Sequence, residues 1–120
     1  MKLAYVAGPY RAPHIWGVVQ NIRKAEEVAV ELWRMGLPNI CPHKNTALFD
    51  GAAGGHGFGD ASVWLAGDLE MLSRCDCVVM VPGWEQSQGA IAERQQAKAE
   101  GLPVFLWPED RALLEVFANG

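Results

Sequence analysis

Apolar and polar positions run along this chain in blocks whose period switches repeatedly between that of a strand and that of a helix. Leu3 to Val6 is a short apolar run closed by Gly8-Pro9, and it reads as a first strand. Residues 18–35 then place Val18, Ile22, Ala25, Ala29 and Leu32 at three- and four-residue spacings, the stripe of an amphipathic helix. Gly36 stops that helix, because glycine takes the left-handed conformation of a helix end at little steric cost. Asn39-Ile40-Cys41, between two prolines, predicts a short second strand. A helix follows over 62–73, with Leu65, Leu69 and Leu72 on one face. Cys77 to Val81 is continuously apolar, as a strand covered on both faces should be. Residues 88–99 read as a helix ending at Gly101, and Pro103 to Trp107 as a further buried strand. Asp110 can cap a last helix containing Leu113, Leu114 and Phe117.

One stretch breaks the alternation. From Asp50 to Asp60 glycine stands at positions 51, 54, 55, 57 and 59, a composition that cannot pack a core. It is expected to be an exposed loop, long enough for a lid or an oligomer contact.

Strands that alternate with helices predict an α/β fold. The expectation is a small doubly wound, Rossmann- or flavodoxin-like parallel sheet of four or five strands with helices on both faces. At 120 residues, positions 1–120 fit one domain with a real core. Ligands of such folds bind beyond the carboxyl ends of the strands, where the strand order reverses. Three segments should meet there: Gly8 to Trp16, the stretch before Asp68, and Pro82 to Gly89.

Composition narrows the partners. Ten Lys and Arg against fourteen Asp and Glu give a formal charge of -4, which argues against binding a nucleic acid polymer. A small anionic ligand remains compatible, since one or two local cations suffice for it. The apolar N-terminal stretch is far too short for a signal peptide or a membrane span, so a cytoplasmic protein without membrane contact is expected. Cys41, Cys75 and Cys77 lack the CxxC spacing of a zinc site and read as buried thiols. No metal or cofactor is suggested.

The candidate chemistry lies in three places. The first is Tyr5-Val6-Ala7-Gly8-Pro9-Tyr10-Arg11, which contains neither GxGxxG nor the P-loop pattern, so NAD chemistry and ATP hydrolysis are poorly supported. Gly8 lets backbone approach a ligand closely, and Pro9 stiffens the turn. Tyr5 suits core packing as well as a site, and Arg11 suits a solvated surface as well as an anion. The second is Asp68, one turn after Trp64 and one turn before Met71 and Leu72. Those neighbours should partly desolvate it and raise its pKa, although a solvated acid or a partner for Arg74 are open alternatives. The third is the segment 82–97, directly after a buried strand. Ser87 can cap its helix, leaving free N–H groups able to receive an anion, and Gly89 keeps the first turn clear. Glu93 shares a helical face with Gly89, Ala90 and Ala97, small residues that permit close approach to the sheet. A surface acid needs no such company. A capping box would put its acid at position 90, where alanine stands, so Glu93 is not a cap.

Taken together, the first-strand Tyr-x-x-Gly-Pro, the Asp68-Leu69-x-x-Leu72 segment running to Val78-Val79, and the Ser87-x-Gly89-x-x-x-Glu93-x-x-x-Ala97 helix resemble the nucleoside 2-deoxyribosyltransferase-like superfamily. That group includes the 2'-deoxynucleoside 5'-monophosphate N-glycosidases, and the resemblance covers nearly the whole chain. It implies Glu93 as the nucleophile, Asp68 as the group handling the proton on the departing base, and Tyr5 as the hydroxyl orienting the nucleophile. It also implies a substrate-binding role for Arg11 and Ser87, and Gly8, Pro9 and Gly89, in the same two loops, are expected to line the substrate with them. Serine at 87 and arginine at 11 match the monophosphate-hydrolysing branch, where both contact phosphate; the transferases carry an acid at the first position. Pro9 departs from that branch, which has a phosphate-binding serine there. Asn45 and His43, past the second strand, can face the cleft, although His43 suits a structural or surface role equally. Trp84, Trp64 or Trp16 can stack on a base, though core or subunit packing is their ordinary use. A homodimer or larger homo-oligomer is implied by the same resemblance. The expected activity is cleavage or exchange of the N-glycosidic bond of a nucleoside or its 5'-monophosphate. A rival reading is a nucleotide-binding sensor or regulatory module without turnover, which the same pocket would serve.

Overall fold

A computed structural model describes residues 1–46 and 62–120; for Ser62 and Val63 only the backbone is described. The glycine-rich stretch from Asp50 to Asp60 therefore lies outside the described residues. Among those described, the elements in chain order are β1 (Ala4–Ala7), α1 (Ile15–Arg34), β2 (Asn39–Ile40), the short α2 (Pro42–Asn45), α3 (Ser62–Ser73), β3 (Cys77–Met80), a 3-10 turn (Trp84–Gln86), α4 (Gln88–Ala99), β4 (Val104–Leu106) and α5 (Arg111–Asn119).

The four strands form one parallel sheet in the order β2-β1-β3-β4. The chain winds outward from β1 to one edge through β2, then returns to the other side of β1 with β3. The strand order thus reverses between β1 and β3, paired with Tyr5 opposite Val78. Side chains alternate across the sheet as strand geometry requires. Ala4, Val6, Cys77 and Val79 pack with Ala25, Val28, Leu32 and Leu114, from α1 and α5. Tyr5, Ala7, Val78 and Met80 pack on the opposite face with Leu72, Ala90 and Ala97, from α3 and α4. This is the doubly wound α/β architecture expected from the sequence.

Some local expectations change. Helix α1 begins three residues earlier than the apolar stripe, at Ile15, because its first turn carries exposed Ile15 and Trp16 rather than core positions. The last strand is half-buried along its length rather than buried, since β4 lies at the sheet edge. Asp110 occupies the N-cap position of α5 without capping it. Its carboxylate instead accepts the Leu106 N–H at 2.7 Å, fixing the turn out of β4. Cys41, Cys75 and Cys77 are free and buried.

Gly8 stands at the close crossing of β1 and β3. A Cβ there would lie 2.6 Å from the Val81 Cβ, far inside contact distance. The residue must therefore be glycine for the loop after β1 to pass over the end of β3.

Candidate active site

A cleft of about 150 Å3 opens at the carboxyl end of β1, beside the point where the strand order reverses. Its walls are Gly8, Tyr10, Arg11, Pro42, His43, Thr46, Trp64, Leu65, Asp68 and Glu93. Loop, α2, α3 and α4 each contribute to it.

Glu93 comes from the inner face of α4, flanked there by buried Ala90 and Ala97. The small neighbours bring the helix onto the sheet and carry the carboxyl with it, leaving the residue only 7% exposed. Tyr5, fully buried on β1, donates its hydroxyl to Glu93 Oε2 in a short hydrogen bond. Burial pushes the Glu93 carboxyl up to about 8, although the Tyr5 hydrogen bond pulls the other way and the Asp68 charge adds a smaller rise. Burial likewise raises the Tyr5 hydroxyl far above its ordinary range, so it remains a donor at every working pH. Asp68, half-buried on α3, is pushed up to about 6 by desolvation, as its apolar neighbours suggested. Arg74, an alternative partner for Asp68, instead pairs with Glu70 at 3.0 Å.

The order of these two carboxyls in the empty site is the reverse of what a nucleophilic Glu93 and a proton-donating Asp68, the roles implied by the family resemblance, require. In the empty site Glu93 is the stronger holder of a proton because it is the more deeply buried. Between about 6 and about 8 the pair retains one proton in total.

His43 forms the roof beside this pair. Its Nε2 lies 2.7 Å from the Pro9 carbonyl oxygen, which can only accept, so Nε2 carries the hydrogen. Nδ1 is sealed from solvent without a partner, and burial lowers the imidazole pKa, which keeps the ring neutral. Tyr10 packs edge-on against it with ring centroids 5.5 Å apart.

Of the residues singled out from sequence, Gly8, Arg11, Asp68 and Glu93 meet at the cleft, with Tyr5 behind Glu93. Pro9, Asn45, Trp84, Ser87 and Gly89 are not among its walls. Pro9 faces its carbonyl to His43, and its ring lies against Gly83, which has a left-handed φ of 92°. Asn45 is exposed on α2. Trp84 packs on the core under the Arg94 guanidinium, 4.9 Å from the ring centroid. Ser87 caps α4, its Oγ accepting the Ala90 N–H at 3.2 Å. Trp64 reaches the cleft, whereas Trp16 is an exposed residue of α1. Tyr10, Pro42, Thr46 and Leu65 were not foreseen. Tyr10 and Leu65 had signals, adjacency to Arg11 and one turn of helix before Asp68; Pro42 and Thr46 had none.

The sequence pattern of a family described as a domain of unknown function (DUF1937) matches residues 2–109. The chain belongs to the DUF1937 family. No curated protein is similar enough in sequence to match it. Among solved structures, this DUF1937 domain is similar to a 2-deoxyribosyltransferase from the psychrotolerant bacterium Bacillus psychrosaccharolyticus, with a TM-score of 0.59 and 21% identity. That match covers 87% of this chain and 70% of the other. A 2-desoxiribosyltransferase from Leishmania mexicana gives the same TM-score of 0.59 at 17% identity, over 88% of this chain and 63% of its own. The DUF1937 chain thus shares the fold of these enzymes while spanning less than two thirds of the second.

Proposed function

We propose that this protein cleaves or exchanges the N-glycosidic bond of a nucleoside or its 5'-monophosphate, with Glu93 as nucleophile. The observation that carries this reading is a buried carboxyl held by the Tyr5 hydroxyl in the same cleft as a second carboxyl of raised pKa. The fold it shares with 2-deoxyribosyltransferases agrees with it.

In the first step the ionised Glu93 attacks C1' and the C1'–N bond breaks, its electron pair leaving with the base. Asp68, holding the single proton of the pair, delivers it to the departing nitrogen. Positive charge developing on the sugar ring stabilises the Glu93 carboxylate, which favours moving the shared proton to Asp68 once substrate fills the cleft. Water attacking C1' of the glycosyl ester, or the nitrogen of a second base, then releases Glu93 and returns a proton to the pair. Water completes a hydrolysis and a base completes a transfer. Tyr5 holds the carboxylate in line throughout.

A 5'-monophosphate is the substrate we favour, because Arg11 brings a guanidinium, the side chain best suited to phosphate oxygens, to the wall of the cleft. Ser87 lends this assignment no support: its Oγ caps α4 by accepting the Ala90 N–H, and it is not among the cleft walls. A dimer or larger assembly of the single domain is part of the same proposal. Ile15 and Trp16, both 66% exposed and just beyond the cleft loop, are the apolar surface it would cover. Light scattering of the purified protein tests it, and a monomeric mass rejects it.

Incubation with a panel of nucleosides and 5'-monophosphates should release free base, and Glu93→Ala should abolish the release. A 2-fluoro sugar analogue should leave an adduct on Glu93 visible by mass spectrometry. Tight nucleotide binding with no release, indifferent to Glu93→Ala, would instead identify a sensor. Equal turnover of thymidine and its monophosphate, or no loss with the monophosphate in Arg11→Ala, would sink the phosphate assignment.

A further inference from the structure

Three consecutive carbonyl groups of the loop after β1 accept hydrogen bonds from side chains. Pro9 O accepts from His43 Nε2 at 2.7 Å. Tyr10 O and Arg11 O both accept from the Asn21 amide nitrogen, at 3.0 Å and 3.4 Å. Residues 8–14 belong to no strand or helix, yet Tyr10 and Arg11 form one wall of the cleft. Something other than repeating backbone structure must therefore hold that wall in place.

Asn21 is suited to the task. A carboxamide nitrogen carries two N–H donors, which matches two neighbouring carbonyls. It rises from the second turn of α1, a helix fastened to the sheet through buried Ile22, Ala25, Val28, Ala29 and Leu32. The loop is thus referenced to the most firmly packed helix of that face.

The geometry points to Asn21 as a positioning residue for ligand binding: it clamps the loop that presents Tyr10 and Arg11, without touching the reacting atoms. This rests on the proposed activity for its kinetic consequence. Without the amide, both carbonyls turn to water and the loop populates other conformations. Substrate must then order the loop as it binds, and that cost weakens affinity. Bond breaking depends on Glu93 and Asp68, which are carried by α4 and α3 and do not depend on the clamp. KM therefore rises while kcat holds.

The test uses the full chain with Asn21→Ala and with Asn21→Asp, which keeps the size but removes both donors. Melting temperature serves as the check on folding. With thymidine 5'-monophosphate as probe, both variants should raise KM roughly tenfold with kcat within about twofold of the parent, the loss expected for one or two hydrogen bonds. A parental KM in Asn21→Asp, or an equal fall in kcat without a change in KM, overturns the clamp. Hydrogen exchange separates this from the activity itself: the amides of residues 10–12 should exchange faster in Asn21→Ala at unchanged melting temperature. If the parent protein releases no base, the proposed reaction fails, and unchanged exchange at those amides would still overturn the clamp.

Discussion

The Glu93 carboxyl sits deeper than Asp68, and that difference in depth decides their titration. With Asp68 raised to about 6 and Glu93 to about 8, the pair is doubly protonated below the first value and doubly ionised above the second. In the proposed mechanism attack needs one carboxylate and departure of the base needs one acid, so only the singly protonated pair would be competent. We expect kcat/KM to follow a bell with its acid limb near 6 and its basic limb near 8. Asp68→Asn should remove one limb and slow base release by about 10² or more, the usual worth of general acid catalysis. A flat profile across this range would refute the two-carboxyl assignment. Glu93 was legible at this scale because its small neighbours can be read off a helical wheel. Its inverted order relative to Asp68 was not, because depth of burial depends on how closely α4 approaches β1.

Among the elements, α3 and α4 were legible to their ends, since leucine spacing and a closing glycine or cap mark them in the chain. Asp110 was not: the same residue type that caps a helix can equally bind the backbone before it, and only the turn after β4 decides between them. Pro42 and Thr46 reach the cleft from a short, irregular stretch that carries no period to read. The contact of Gly8 with Val81 belongs to this scale too. Gly8→Ala should force the loop away from β3, costing about 1–3 kcal/mol as an overpacked site does. The companion change Val81→Ala should recover much of that loss, measured by denaturant unfolding of the single and double variants. If Gly8→Ala is neutral, the crossing is looser than its geometry implies.

At the level of the whole molecule, the raised carboxyls make stability depend on pH. Glu93 and Asp68 hold protons in the folded chain that the unfolded chain has already lost above about 5. Their contribution is therefore complete below their unfolded values near 4 and is lost as pH rises through about 6 and then about 8. His43, kept neutral by burial, acts in the opposite sense near its ordinary range. Glu93→Gln removes one titration alone, so the variant should gain on the parent by a few kcal/mol between pH 5 and pH 9. Thermal melts of both proteins at those two pH values measure it, and parallel pH dependences would contradict it. The overall α/β plan was legible from the alternation of periods. Two of the segments lining the cleft, the loop from Gly8 and the stretch before Asp68, were legible too, but the third was not. Ser87 and Trp84 belong to a loop that the sequence placed there, yet Ser87 is spent on the cap of α4 and Trp84 on its stack with Arg94, and neither is among the walls.

The hydrogen bond between Tyr5 and Glu93 joins residues 88 positions apart. During synthesis from the N-terminus, the tyrosine is made long before its carboxylate partner exists. The cleft cannot form on a partly made chain, because Asp68 and Glu93 follow Tyr10, Arg11 and His43 and arrive with the second half. Activity would therefore report completed topology: a chain cut between residues 46 and 62 should be inert as either piece, and the appearance of base release on mixing them would time the docking of β1 beside β3.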